Sequence, residues 1–355
     1  MYMYICMYYH FLVLLLPWII SCFKLDIPLH HNKDSHLFSL TACVSSVSFL
    51  CKEYCISLKD RDIVIFDNVH KQNGENKVFH QLLTPFQINN EYSFYQTSVY
   101  IDGYDIQNII IKLYHNKYTM RHGNFGLNWN NNDNDSNNNN LTSLIEKLFE
   151  FSKSKKVFYI DINNNNPKLI IGDYPSKYND IKYYKYCKIK QHNKAIGYYC
   201  DLDSVYVNNK HILIEKEIQF SIEHTFIYVQ RDTMEMIVNE MFGNDDITSK
   251  DNALSKCEVV RGSNNNQIFI RCDKDVDITK LNNNIHMKYI TFIFGKYSLR
   301  IMNSNLFITY YDYIYYGIVF DNERSQNELI FGYPLFKNYY IIFDYDNQII
   351  IFIHK

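Results

Sequence analysis

The stretch that most constrains the fold is residues 329–353, LIFGYPLFKNYYIIFDYDNQIIIFI, at the end of a 355-residue chain. It reads as a buried strand, a turn at Gly332, an amphipathic strand, an Asp-x-x-Asn hairpin at Asp344 and Asn347, and a last wholly apolar strand. Tyr (32) and Phe (24), with many Ile and Val, extend the same preference upstream, because aromatic and branched side chains pack well on a pleated surface. Glycine (11) and proline (6) are scarce for a chain with many turns. Asparagine takes their place, since it tolerates the left-handed backbone region better than most residues. An all-β protein with a few short helices is the expectation.

A chain of this length can bury two cores, and two lobes of similar size are expected at 30–185 and 186–355. Residues 11–22, FLVLLLPWIISC, are apolar but shorter than the roughly 20 residues that span a bilayer. Residues 1–22 therefore read as a secretory signal peptide. Residues 1–10 hold no Lys or Arg, so an uncleaved N-terminal membrane anchor is the other reading. Either places the remainder in the secretory pathway, secreted or membrane-anchored, where oxidised cysteine pairs form. The balance of 36 basic against 38 acidic residues leaves a net charge of −2, which supplies no field for nucleic acid.

Several internal stretches carry more than propensity. Residues 157–179, VFYIDINNNNPKLIIGDYPSKYN, form a hairpin pattern, and 197–210, GYYCDLDSVYVNNK, an alternating strand that ends in a two-residue turn. Residues 220–225 read FSIEHT, and Met234, Ile237, Val238 and Met241 then follow at helical spacing on one face. GNFGLNW at 123–129 precedes an asparagine run that cannot bury apolar surface and is expected as a surface insertion, with sequons at Asn134 and Asn140.

Together with Gly332, Leu335, Tyr339, Tyr340, Phe343, Asp344, Asn347 and Phe352 in the closing stretch, these segments resemble pepsin-like aspartic peptidases, over roughly residues 35–353. The resemblance implies a bilobal acid-protease fold with one catalytic aspartate per lobe. It sets Glu223 at the second aspartate, with His224 and Thr225 in place of Thr and Gly. Anchoring the first loop on Ser45 and Ser46 sets Ala42 at the first aspartate, with Cys43 and Val44 following. It further implies a flap tyrosine at Tyr92 or Tyr95 and disulfides at Cys51–Cys55 and Cys257–Cys272. Without the family, Cys51 and Cys55 read as a small local disulfide or two thiols. His30, His31, Cys51 and Cys55 match no structural zinc spacing, and no metal or cofactor is expected.

Such peptidases hydrolyse peptides with two carboxyl groups that share a proton. With Ala42 and Glu223 at those places, the expected function is that of an inactive homologue, a monomer that binds a peptide or protein in its interlobe cleft. A working endopeptidase would need a second carboxylate, for which Asp34, Asp201 and Asp203 are nearest in sequence but fit no catalytic motif. An unrelated secreted β module is the third reading. No H-E-x-x-H, G-x-S-x-G or phosphate-binding glycine loop occurs.

Overall fold

A computed structural model describes residues 24–33, 36–44, 51–60, 62–66, 85–88, 91–114, 123–128, 142–162, 166–175, 185–190, 197–242, 257–261, 266–276, 288–322 and 329–355. The leader at 1–22, the asparagine run, both sequons and Asp34 lie outside these residues. Along the chain run β1 (Leu25–Pro28), β2 (His30–Asn32), β3 (Leu37–Val44), β4 (Cys51–Ser57), β5 (Ile63–Phe66), β6 (Pro85–Ile88), β7 (Tyr92–Ile101), β8 (Tyr104–Tyr114) and β9 (Gly123–Gly126). Helix α1 (Leu144–Ser152), β10 (Val157–Asp161), β11 (Lys168–Ile171) and β12 (Lys185–Lys188) follow. Then come β13 (Tyr198–Val207), β14 (Lys210–Phe220), β15 (Ile227–Val229), α2 (Arg231–Phe242), β16 (Cys257–Arg261), β17 (Gln267–Asp273), β18 (Tyr289–Phe294) and β19 (Tyr297–Met302). The chain closes with β20 (Phe307–Tyr310), β21 (Tyr313–Tyr316), β22 (Ile318–Asp321), β23 (Leu329–Phe331), α3 (Tyr333–Asn338), β24 (Tyr339–Asp344) and β25 (Ile349–His354).

Three sheets result, and the fold is all-β and bilobal. The first lobe is an eight-stranded sheet in the order β2-β3-β4-β9-β5-β8-β7-β6, and the second an eleven-stranded sheet built from β13 to β23. Beneath both lies a six-stranded sheet, β1-β11-β10-β24-β25-β12, which takes strands from the beginning, middle and end of the chain. Phe158, Tyr198, Phe220, Phe343 and Phe352 pack ring against ring where this sheet meets the lobes. The expected boundary at 185/186 falls inside β12.

The closing stretch forms as its pattern requires, with one difference. Between β23 and β24 the chain makes the short helix α3, because Pro334 in the first turn presets the helical backbone angle. The Asp-x-x-Asn hairpin is held by Asp344, whose carboxylate accepts from the Asn347 amide at 3.0 Å and from its side chain at 2.8 Å. Helix α2 buries Met234, Ile237 and Met241 on one face. Helix α1 starts with a reciprocal capping box, the Ser143 hydroxyl accepting from the Glu146 amide while the Glu146 carboxylate accepts from the Ser143 amide.

The cysteines pair partly as the resemblance implies. Cys257 and Cys272 form a disulfide across the register of β16 and β17. Cys187 on β12 is bonded to Cys200 on β13, which ties the shared sheet to the second lobe. The expected Cys51–Cys55 bridge does not form: Cys55 keeps its thiol. Both belong to one continuous strand, where four residues extend about 13 Å, twice the Cα separation that a disulfide spans. Cys43 is disulfide-bonded, and its backbone partner across β3 and β4 is Cys51.

Candidate functional site

Each lobe contains one strand–loop–strand unit threaded by a third strand. In the first lobe β4 runs into the loop at 58–62 and out into β5, and β9 lies between the two, parallel to β4 and antiparallel to β5. In the second, β14 runs through 221–226 into β15, and β23 lies between them with the same two orientations. Such a unit needs a residue without a side chain where the middle strand passes the loop. Gly126 and Gly332 supply it. A Cβ at Gly126 would sit 2.5 Å from the carbonyl oxygens of both Asp60 and Asp62, and one at Gly332 would strike those of His224 and Phe226.

The two units superpose residue by residue in register. Ile56 faces Phe125 and Ser57 faces Gly126 across β4 and β9, while Phe220 faces Phe331 across β14 and β23. One constant displacement along the sequence carries Asp60 to His224, Asp62 to Phe226 and Ile63 to Ile227, the residues that begin β5 and β15. Applied to Ser57, it gives Ser221. Both serines are 0 % exposed and stand where an apolar strand enters its loop.

Local bonds fix both loops. The Ser57 hydroxyl accepts from the Lys59 amide at 3.2 Å and the Asp60 amide at 3.0 Å, closing the turn as a helix cap would. The Leu127 amide donates to the Ser57 carbonyl at 2.8 Å and the Asn128 amide to that of Asp60 at 2.9 Å. Asn124 donates to the Asp60 carboxylate at 2.7 Å. In the second loop the Ser221 hydroxyl lies 2.6 Å from His224 Nδ1, and the Tyr333 amide donates to the His224 carbonyl at 2.8 Å. The units meet where the Leu58 amide donates to Glu223 Oε1 at 3.1 Å.

The expected site residues are thus distributed differently from the sequence reading. Glu223 lies in the second unit, two residues past Ser221, with its carboxylate turned to the first lobe's backbone. Ala42 lies in no loop: it is a mid-strand residue of β3, paired with Lys52 on one side and Ile101 on the other. The first loop is at 57–62, a stretch that sequence reasoning passed over because the Ser-Ser pair at 45–46 drew the alignment upstream. The usable signal was the apolar alternation of Tyr54, Ile56 and Leu58, then the polar run 59–62 and the apolar run 63–66.

Tyr92 and Tyr95, the expected flap tyrosines, are both on β7 and both packed inward. Tyr95 is enclosed in the main core, and Tyr92 packs on Phe94 and Tyr114 with the Lys112 ammonium 4.0 Å from its ring centre. Asp201 and Asp203, the alternative carboxylates, point from the exposed face of β13, the first to Lys190 at 2.5 Å and the second to the Gly295 amide. Neither approaches the two loops as a partner for Glu223.

A buried hydroxyl against an imidazole is also one part of a serine nucleophile. Ser221 has no exposed surface and His224 is 8 % exposed, so no acyl group reaches the pair in this arrangement. Its chemistry is that of a turn lock.

A family model described as eukaryotic aspartyl protease matches residues 90–354. The matched region takes in the second unit and, of the first, only β9. No curated protein matches the chain.

Proposed function

The chain belongs to the eukaryotic aspartyl protease family, and from that premise we propose that it is a catalytically inactive member of the secretory pathway whose interlobe cleft binds a peptide or protein. The reading places Ser57 and Ser221, rather than Ala42 and Glu223, where the family's two aspartates stand, each directly after the apolar strand that enters its loop. The observation that carries it is the matched position of these two serines in the paired units.

The reaction of the family needs one carboxylate to take a proton from water while its protonated partner polarises the scissile carbonyl. A serine hydroxyl stays neutral across the working pH range and does neither. The Ser57 oxygen is already engaged by two amides, and that of Ser221 by His224. Two acidic side chains of these loops are engaged as well, Asp60 with Asn124 and Glu223 with the Leu58 amide. Losing a single positioned proton-transfer group typically lowers rate by about 10²–10⁴-fold, and here both are replaced.

The disulfides Cys187–Cys200 and Cys257–Cys272 support passage through an oxidising compartment. The decisive assay incubates the purified chain lacking residues 1–22 with a random peptide library from pH 3 to 7. No cleavage is expected, and pepstatin-sensitive cleavage would defeat the reading. Panning a displayed peptide library on the immobilised chain checks the binding half, with enrichment of a common motif as the expected result.

A further inference from the structure

The tip of the β2–β3 hairpin reaches from the first lobe onto the second through stacked rings. His31 lies flat on Phe38, with centroids 4.5 Å apart and planes at 8°. His36 stacks on Tyr333, just past β23, at 4.3 Å and 21°, and Tyr333 also faces His31 at 5.7 Å. His36 Nε2 meets the Thr309 carbonyl of β20, and His36 Nδ1 lies 3.3 Å from His31 Nε2. His36 holds a left-handed backbone (φ 55°) that aims its ring across the junction, its amide donating to the Asn32 carbonyl at 2.8 Å.

The bonds assign the protons. A backbone carbonyl only accepts, so His36 carries its hydrogen on Nε2. With that ring neutral, its Nδ1 accepts from His31 Nε2–H. A protonated His36 would still fit, donating from Nδ1 once His31 carries its hydrogen on Nδ1, so the group at which a proton disturbs the slot is His31. Adding one to His31 would place a cation in a half-buried aromatic slot beside His36 and Lys33, although the faces of Phe38 and Tyr333 return part of that cost. Among the described residues, the Thr309 carbonyl and the Tyr333 phenol face the pair from the second lobe, and burial pushes the ionisation of that phenol upward, so neither of these two compensates a positive charge.

We propose that His31, His36, Phe38 and Tyr333 form an interlobe clasp that is closed while the His31 imidazole is neutral and is released by acid. Burial first, then His36 and Lys33, lowers the His31 pKa from 6.5 to about 4. The open chain therefore binds the extra proton between those values. Clasp stability is complete above pH 6.5 and is lost as pH falls towards 4. Because the Tyr333 amide is bonded to the His224 carbonyl, release loosens the second loop directly. The device does not depend on whether the chain cleaves peptides.

The test compares wild type with His31→Phe, which keeps a stacking ring, and with His31→Gln, which keeps a neutral donor, by urea unfolding from pH 7.5 to 4. The shift from 6.5 to about 4 limits the pH-linked change in the unfolding constant to roughly 300-fold, and the half-exposed ring reduces it. We expect both variants to lose about tenfold or more of the wild-type change. In wild type, hydrogen exchange over residues 30–44, corrected for intrinsic rate, should rise at pH 5 relative to residues 231–242. Parallel unfolding profiles in all three proteins, or exchange at 30–44 that tracks 231–242 at both pH values, would overturn the proposal.

Discussion

The amide of Leu58 in the first lobe donates to Glu223 Oε1 in the second at 3.1 Å, and this bond joins the loops of the two paired units. Leu58 is fully buried, so its amide has no water to fall back on. Glu223→Ala should therefore cost about 1–3 kcal/mol of stability, and Glu223→Gln, which keeps an acceptor, clearly less. Urea unfolding of the two variants checks the order. Equal losses would assign the effect to packing.

If the chain is inactive as proposed, placing carboxyl groups at Ser57 and Ser221 should not by itself bring hydrolysis. Ser57→Asp combined with Ser221→Asp places charge in positions lined by Leu58, Lys59, Ile222 and Glu223, where the Thr-Gly of an active loop is missing. The expected outcome is a destabilised protein with no pepstatin-sensitive cleavage of a peptide library. Appearance of such cleavage would mean that only two side chains separate this chain from an active enzyme.

Gly126 and Gly332 should be far less replaceable than Gly103. An alanine methyl at either of the first two meets carbonyl oxygens of a loop that is itself hydrogen-bonded, so a loss above about 3 kcal/mol or failure to fold is expected. At Gly103 nothing lies within 4 Å, and only its positive φ of 84° opposes a side chain, worth about 1 kcal/mol. Expression yield and thermal melting of the three Gly→Ala variants give the ranking.

Loss of the Cys257–Cys272 bridge should act locally on the second lobe. Cys257 and Cys272 are 15 residues apart, and opening such a loop removes roughly 3 kcal/mol in the chain-entropy account. Cys257→Ser with Cys272→Ser should lower the urea midpoint accordingly. Peptide mapping without reductant should recover the Cys187–Cys200 and Cys257–Cys272 links, with Cys55 alkylated after unfolding.

The second lobe was legible because its elements keep their patterns. The period of Met234, Ile237 and Met241, the turn at Asn208 and Asn209, and the hairpin of Asp344 and Asn347 each follow from a local rule. The first loop was not legible, since its motif letters have gone and what remains, a buried serine between apolar runs, occurs in many strands. Letter matching preferred Ser45 and Ser46, whereas strand register, which needs the position of β9, picks out Ser57. Tyr92 and Tyr95 illustrate the same difficulty: in a chain holding 32 tyrosines, only packing separates a core ring from one that faces a ligand.

The six-stranded sheet also sets a timetable for synthesis. β10 pairs with β24, and β12 with β25, so these two strands, made earlier in translation, wait for residues 339–354. Until then β10 and β12 each present an unsatisfied edge. Removal of residues 336–355 should therefore leave those edges open and expose the nascent first half to chaperones.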